Sequence, residues 1–212
     1  MTSEPGSGLP HSGALTVLVA TTNQNKLSEI CTVLDGLPID LRTLAGFPSL
    51  AEPDEHGSTF AENARLKAIY YARATGVLTV AEDSGLEIDA LDGAPGVQSA
   101  RYNGGTYPEK FEHLYRELRA RGATDSPARF VCALAVARGE GVNFEARGTV
   151  EGRIAMTPRG EGGFGYDPIF FYPPCGRTLA ELSKQDKAEV SHRGKAFRKL
   201  REFLICARMK CP

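Results

Sequence analysis

The chain has 212 residues, 42% of them hydrophobic and 24% charged, which is typical of a globular protein and excludes a disordered or fibrous one. Its 25 basic and 26 acidic residues give a formal net charge of -1, which argues against a general binder of nucleic acid or of anionic membranes. No apolar run approaches the roughly 18 residues that a membrane-spanning helix needs.

The N-terminal residues 1–14 are rich in Gly, Ser and Pro, and they lack the basic start and apolar middle of a signal peptide. We therefore predict a disordered tail over 1–14 and a single domain over 15–212. The five cysteines are scattered and form no C-x-x-C pair, which favours reduced thiols in the cytoplasm over disulfides or a zinc site.

Strands and helices alternate in the first third of the chain. The patterns predict a strand over 15–21, a helix through the apolar stripe 27–34, a strand over 39–44 and a helix over 59–75. Thr59 with Glu62 forms a capping box for the second helix, and Gly76 is placed to end it.

The middle and the end of the chain mix both kinds of element. The patterns predict a short strand over 77–81, a turn over 82–85, a strand over 86–90, a helix capped by Thr106 and Glu109, a hairpin of strands 130–137 and 142–150, and a final helix. The fold class is therefore α/β, with a mixed twisted sheet and flanking helices. We expect the hairpin to form a second lobe, with a central cleft between the two lobes.

A polar turn follows the first predicted strand and opens the first helix. It consists of Thr21, Thr22, Asn23, Gln24, Asn25 and Lys26. Backbone N–H groups at a helix N-terminus bind anions, and Lys26 adds a positive charge. An asparagine-rich helix cap with a solvated lysine explains the same residues, and the pattern alone favours that simpler interpretation.

Two acidic stretches follow predicted loops and strands. Glu52, Asp54 and Glu55 could hold Mg²⁺, although acids before a helix more often serve its dipole. Glu82 and Asp83 come directly after an apolar strand, where neighbouring carboxylates are costly unless they bind a metal ion or a proton. An ordinary turn is an equally good interpretation of the second stretch.

Two further stretches could contact a ligand. Aromatic side chains between glycines in residues 162–168 can stack on a planar base, and Asp167 can accept from its N–H groups, although packing is the usual role of such a loop. Lys187 and the basic stretch 191–195 could clamp a phosphate or a carbonyl oxygen. A solvated basic helix face is the alternative for these cations.

Together these stretches match a known family. The segments ATTNQNKLSEI, STFAENARLKA, EDSGLEIDALDGAPGVQSARY, GGFGYDPIFFYP and TLAELSKQDKAEVSHRGKAF occur in this order. The chain thereby resembles the noncanonical purine nucleoside triphosphate pyrophosphatases, the inosine triphosphatase or dITP/XTP pyrophosphatase family. The resemblance extends over roughly residues 15–205, and five motifs in order are far more specific than any one of them.

The resemblance implies a two-lobed homodimeric enzyme that hydrolyses ITP, dITP and XTP to the monophosphate and pyrophosphate with Mg²⁺. It implies that Asp83 activates water, and that Glu55 and Asp83 bind the metal. The residues that it implies for substrate binding are Thr21, Thr22, Asn23, Gln24, Asn25, Lys26, Ser84, Phe164, Gly165, Tyr166, Asp167, Lys187, His192 and Arg193. It implies neither a nucleic-acid nor a membrane partner.

The chemistry of these residues suits that reaction. Lys26 and Mg²⁺ can neutralise the triphosphate, and a carboxylate base can activate water for attack on the α-phosphorus. Lys187 and Arg193 can donate to the 6-oxo group of the purine and would be left unpaired by the 6-amino group of adenine.

Two residues depart from the family pattern. Glu82 stands where the family usually has aspartate, which moves the carboxylate by one methylene. Asn25 stands where a glycine usually precedes the lysine, and we expect asparagine to tolerate a left-handed turn there.

Two other functions remain open at this stage. A nucleotide pyrophosphatase of the Maf type would prefer modified pyrimidines or standard nucleotides, but the base-pocket loop belongs to the purine family. A non-catalytic nucleotide or nucleic-acid binder could use the basic C-terminal helix, but it has no use for Glu55 and Asp83 beside phosphate.

Overall fold

The computed structural model describes residues 14–209, in which seven strands form one sheet. The strands are β1 (Leu15–Val19), β2 (Ile39–Thr43), β3 (Leu78–Ile88), β4 (Pro127–Arg138), β5 (Gly141–Ile154), β6 (Phe170–Tyr172) and β7 (Arg177–Thr178). Their order is β2-β1-β3-β4-β5-β6-β7; β1 runs parallel to β2 and β3, and the other pairs are antiparallel. The predicted mixed α/β class is confirmed.

Five α-helices accompany the sheet within the described residues. They are α1 (Gln24–Leu34), α2 (Phe60–Thr75), α3 (Tyr107–Ala120), α4 (Lys184–Val190) and α5 (His192–Met209). Both predicted capping boxes are present, at Thr59 for α2 and at Thr106 for α3. Gly76 ends α2 in the left-handed conformation, at φ 70°, which costs glycine little because it has no Cβ.

The two faces of the sheet are buried under different helices. Val17 and Val19 of β1 pack with α1 and α5, whereas Leu18 and Ala20 pack with α2. This alternation follows from the two-residue period of a strand. Side chains of neighbouring residues on the central strands therefore reach opposite layers of the molecule.

The predicted turn at residues 82–85 is wrong, because β3 is one continuous strand. It pairs with β4 without a break from Thr79 opposite Ala137 to Ile88 opposite Ala128. The polar side chains of this stretch remain inside the sheet because cations and amides from several helices contact them. Glu82 consequently faces α1 and α5, and Asp83 faces α2.

The predicted hairpin is β4 and β5, and its residues are divided among four core clusters instead of lying in one. Its inner half packs with α1 and α5, and its outer half with α3 and β6. The division into a tail over 1–14 and one two-lobed domain over 15–212 stays a prediction, since residues 1–13 and 210–212 lie outside the described part. In residues 14–209 we find no helix with the length and hydrophobicity needed to cross a membrane.

Candidate active site

A cleft opens beyond the end of β1, where β3 continues past the last residue that pairs with β1. Pairing between β1 and β3 stops at Val19 and Val80, although β3 runs on to Ile88. The cavity has a volume of about 250 Å³. Its position at the carboxyl end of a parallel strand is a common place for ligands in α/β sheets.

Most of the predicted site residues line this one cleft. Those that line it are Thr21, Thr22, Asn23, Lys26, Glu55, Asp83, Ser84, Phe164, Gly165, Tyr166, Asp167, Lys187, His192 and Arg193. Gln24 and Asn25 are exposed on the first turn of α1 and are not among the lining residues. The structure thus brings together residues from five separate stretches of the chain.

The side chain of the N-cap residue, Asn23, caps the first turn of α1. Asn23 Oδ1 accepts hydrogen bonds from the backbone N–H groups of Asn25 and Lys26, at 3.0 and 3.1 Å. The alternative of a helix cap is therefore correct for Asn23. The solvated lysine of that alternative is wrong, because the Lys26 ammonium lies 2.9 Å from Glu82 Oε1 instead of in solvent.

Asn25 has no left-handed backbone, contrary to our expectation. It lies within α1, and the positive-φ residues other than glycine in residues 14–209 are Asp92 and Asn103. The departure from glycine at this position is accommodated by an ordinary helical turn, which asparagine adopts without strain.

Glu82 joins two cations of the cleft. Its Oε1 contacts Lys26 Nζ and, at 3.4 Å, Arg193 Nη2, and the Cys132 thiol donates to its Oε2 at 3.5 Å. Burial opposes ionisation, but Lys26 and Arg193 outweigh it and hold the pKa of Glu82 well below its usual range. The same Arg193 nitrogen donates to Ser84 Oγ at 2.8 Å. Glu82 is thus an ionised anchor for Lys26 and Arg193.

The pKa of Asp83 is shifted in the opposite direction to that of Glu82. Asn63 Nδ2 donates to its Oδ2 at 2.9 Å, and Lys67 Nζ lies 3.9 Å from its Oδ1. Burial nevertheless raises the pKa of Asp83, with Lys67 and Asn63 offsetting only part of the effect. A carboxylate with a raised pKa is a better proton acceptor than an ordinary aspartate.

Two cleft cations were missed in the sequence, and both contact Glu55. Lys67 Nζ lies 2.6 Å from Glu55 Oε1, and Arg101 Nη2 lies 3.0 Å from Glu55 Oε2. Burial of Glu55 acts to raise its pKa, but the hydrogen bond and the positive charge of Lys67 outweigh burial and lower the pKa. Lys67 could have been found from the sequence. Asn63 and Lys67 stand four residues apart on the inward face of α2, where polar residues are unusual.

A third missed residue organises the other end of the cleft. Glu29 of α1 accepts from Lys187 Nζ at 2.6 Å through Oε1 and from Arg193 Nη1 at 2.5 Å through Oε2. Lys187 also contacts Asp167 Oδ2 at 2.5 Å, and the backbone N–H of Phe164 donates to the same oxygen at 2.7 Å. Burial raises the pKa of Asp167, with Lys187 opposing it.

Aromatic rings surround this end. The Phe164 ring lies 4.8 Å from Lys187 Nζ and 5.5 Å from Arg193 Cζ. The Tyr166 hydroxyl donates to the Ser99 carbonyl at 2.9 Å, and its ring meets Tyr107 edge-on at 5.3 Å. Tyr166 therefore offers its ring to the cleft, and Tyr107 is a further lining residue that the sequence did not indicate.

Two buried nitrogen atoms beside this network have no hydrogen-bond partner within residues 14–209. They are His192 Nδ1 and Arg193 Nε. Burial and the charge of Arg193 lower the pKa of His192 well below its usual range, so the imidazole is neutral at physiological pH. Its ring stacks on Phe130 at 4.7 Å. Unsatisfied buried polar atoms are uncommon and are typical of functional sites.

Gly85 permits a close approach between β3 and another part of the chain. A Cβ built there would lie 2.3 Å from Ser99 Oγ and 2.6 Å from the Gly96 carbonyl oxygen. The close approach that glycine permits is therefore to the chain's own 96–99 loop. That loop carries on to Arg101, so Gly85 helps to place the Arg101 side of the cleft.

The carboxylates of the cleft are compensated by cations in this structure. In the described residues, the cations Lys26, Lys67, Arg101, Lys187 and Arg193 contact the acids Glu29, Glu55, Glu82, Asp83 and Asp167. No three His, Cys, Asp or Glu side chains of residues 14–209 cluster tightly enough to hold a metal ion by themselves. Glu55 and Asp83, both beside Lys67, do fit a Mg²⁺ ion whose other ligands are waters and substrate phosphates.

Comparison with known proteins gives consistent matches over nearly the whole chain. A model of the Ham1 family matches residues 17–203. A dITP/XTP pyrophosphatase of an Exiguobacterium species is 47% identical over 192 residues, which cover 89% of this chain and 96% of the relative. A protein of the same name from Thermus thermophilus is 49% identical over 187 residues, covering 88% and 90%.

Solved structures agree with these sequence matches. A HAM1 protein from Coxiella burnetii superposes with a TM-score of 0.84 at 41% identity, covering 90% of this chain and 98% of that one. A nucleoside-triphosphatase / dITP/XTP pyrophosphatase from Mycobacterium abscessus gives a TM-score of 0.70 at 40% identity, covering 88% and 98%.

Proposed function

The chain belongs to the Ham1 family, and from this premise we propose how it hydrolyses noncanonical purine nucleoside triphosphates to the monophosphate and pyrophosphate. The family relatives named dITP/XTP pyrophosphatase identify it as a hydrolase of acid anhydrides. The observation that carries the mechanism is the convergence of Lys26, Asp83 and Arg193 in one cleft from distant parts of the chain.

The triphosphate binds at the α1 and α2 side of the cleft. Lys26, Lys67 and Arg101 supply three positive charges there, and the hydroxyls of Thr21 and Thr22 line the same wall. Each of these cations contacts a carboxylate of the protein. Phosphate oxygens can share these three cations with the carboxylates or displace the carboxylates from them. No further cation of the protein is needed to bind the triphosphate.

Asp83 accepts the proton of the attacking water. Its raised pKa gives it more basicity than an ordinary aspartate, and Asn63 fixes the orientation of the carboxylate through Oδ2. The water attacks the α-phosphorus, the bond to the bridging oxygen breaks, and pyrophosphate leaves. General-base assistance of this kind typically contributes about 10²- to 10⁴-fold in rate.

The purine binds at the other end, beside Phe164. The 6-oxo group is an acceptor, and Lys187 and Arg193 retain donors for it: an ammonium has three N–H groups, of which Glu29 and Asp167 engage two, and Arg193 Nε has no partner. The 6-amino group of adenine would leave these buried donors unpaired, which a hydrogen-bonding site rejects strongly.

Glu55 and Asp83 would hold Mg²⁺ in the loaded enzyme. When bound, the ion supplies neutralisation of phosphate charge during the reaction. In keeping with the family resemblance, we also propose a homodimer. We further propose a cytoplasmic location, which accords with the free state of the four cysteines in residues 14–209. Sedimentation analysis tests the first of these, and cell fractionation the second.

Pyrophosphate release tests the proposed function. The substrates are ITP, XTP, dITP, GTP, ATP and dTTP, each with and without Mg²⁺, for the native chain and for Asp83→Asn. We expect fast, Mg²⁺-dependent release from the first three substrates and its loss in the variant. Preference for dTTP would instead indicate the Maf-type function, and release from none of them would favour a binding module.

A further inference from the structure

Lys67 lies between the two carboxylates that suit a divalent cation. Its Nζ is 2.6 Å from Glu55 Oε1 and 3.9 Å from Asp83 Oδ1, and its side chain is only 12% exposed. An ammonium beside two carboxylates satisfies the same charge that a divalent ion would satisfy. Lys67 is therefore a competitor for the position that the proposed metal needs.

The remaining oxygens of the two acids are also engaged. Arg101 contacts Glu55 Oε2, Asn63 donates to Asp83 Oδ2, and the backbone N–H of Ser84 donates to Asp83 Oδ1. The two negative charges of Glu55 and Asp83 are thus matched by the two positive charges of Lys67 and Arg101. A divalent cation added alone would therefore bring positive charge to two acids that cations of the protein already compensate.

We propose that Lys67 blocks divalent-metal binding to the nucleotide-free protein and releases Glu55 and Asp83 only when a triphosphate draws its ammonium away. This inference rests on the proposed function, because it concerns the same site. The metal and the nucleotide then bind as one strongly coupled unit, and the acids are occupied by Lys67 at all other times.

The direction of the exchange follows from charge. A triphosphate carries about four negative charges, so it can engage Lys67 and Arg101 together and still leave negative charge for a divalent ion. Neither ligand alone restores neutrality at this end of the cleft. By thermodynamic linkage, each must then raise the affinity for the other by the same factor.

Binding of Mn²⁺ to the nucleotide-free protein, followed by electron paramagnetic resonance, tests the proposal without any turnover. We expect weak binding to the native chain and binding at least about tenfold tighter to Lys67→Gln, because one positive charge is removed from beside both acids. Lys67→Arg keeps the charge and is expected to bind as weakly as the native chain. Lys184→Gln, which removes an exposed lysine of α4, is the matched surface control.

Unchanged or weaker Mn²⁺ binding in a folded Lys67→Gln variant would overturn the proposal. If that variant does not fold, Lys67→Met decides, since it keeps the long side chain and removes the charge. A gain of about tenfold there supports the proposal, and no gain overturns it. These outcomes do not depend on pyrophosphate release, so failure of the competition is distinguishable from failure of the proposed activity.

Discussion

The two ends of the cleft hold their charges in different ways. At the base end, Lys187 and Arg193 are 6% and 2% exposed, and Glu29 contacts both of them. At the phosphate end, Glu55 is 27% exposed and its partner Arg101 is 60% exposed. The base end is buried and its charges are shared between several partners, whereas the phosphate end is buried around Lys67 and Asp83 and opens to solvent at Glu55 and Arg101.

This difference matches what each end must do. Discrimination between the 6-oxo and 6-amino groups of a purine needs donors in fixed positions. A mobile donor could turn to another acceptor and would not be left unpaired by the wrong group. The phosphate end must instead exchange carboxylate contacts for phosphate contacts on each turnover. Glu82 lies between the two, where it holds Lys26 of one end and Arg193 of the other.

The largest expected effect belongs to Asp83→Asn. We expect kcat to fall by about 10²- to 10⁴-fold, because the variant lacks the proton acceptor. We expect the free energy of unfolding at neutral pH not to fall, since burial raises the pKa of Asp83 and the folded state therefore disfavours its charge. Steady-state kinetics and urea unfolding measure the two quantities, and a destabilised variant with normal kcat would contradict both expectations.

The second prediction compares Glu82→Gln with Glu55→Gln. Loss of the buried Glu82 charge leaves Arg193 and Lys26 poorly compensated, and we expect a cost of about 3–5 kcal/mol in the free energy of unfolding. The matched change at Glu55 is expected to cost less, about 1–2 kcal/mol, because Glu55 is 27% exposed and only one of its two partners, Lys67, is largely buried. Equal losses in urea unfolding would show that the two ends do not differ.

The third prediction concerns Glu29→Gln at the base end. The amide keeps the shape of the side chain but removes the charge that holds Lys187 and Arg193. We expect KM for ITP to rise about tenfold and the preference for ITP over ATP to fall, with kcat little changed because Asp83 is untouched. A fall in kcat at constant KM would place Glu29 in the chemical step instead.

The smallest effect is expected for Glu82→Asp, which restores the residue that is usual in the family. Removal of one buried methylene lengthens the contact with Lys26, and we expect a cost of about 1 kcal/mol in the free energy of unfolding, with activity retained. Thermal or urea unfolding of the variant beside the native chain measures the cost. A gain in stability would mean that glutamate is the poorer fit at this position.

Local sequence signals predicted the helices well. The Thr59 and Thr106 capping boxes, the left-handed Gly76 and the β4–β5 hairpin all depend on residues close together in the chain. These features need no tertiary information, and so they could be predicted from spacing and residue type.

The errors arose where distant residues decide the structure. A Glu-Asp-Ser-Gly stretch indicates a turn until Lys26, Asn63 and Arg193 are known to compensate its side chains. Glu29 and Arg101 were missed for the same reason, because each acts through a partner far away in the sequence. The family resemblance found most residues that line the cleft, but not the residues that hold them in place.

The continuity of β3 makes the register of one strand pair a determinant of function. Because neighbouring side chains of a strand point to opposite faces, a shift of β3 by a single residue against β4 would turn Glu82 and Asp83 each to the opposite face of the sheet. The anchor of Lys26 and Arg193 would then face α2, and the proton acceptor would face α1 and α5. For protein engineering, this means that an insertion or deletion within β3 displaces both functional acids together, whereas a substitution alters one side chain.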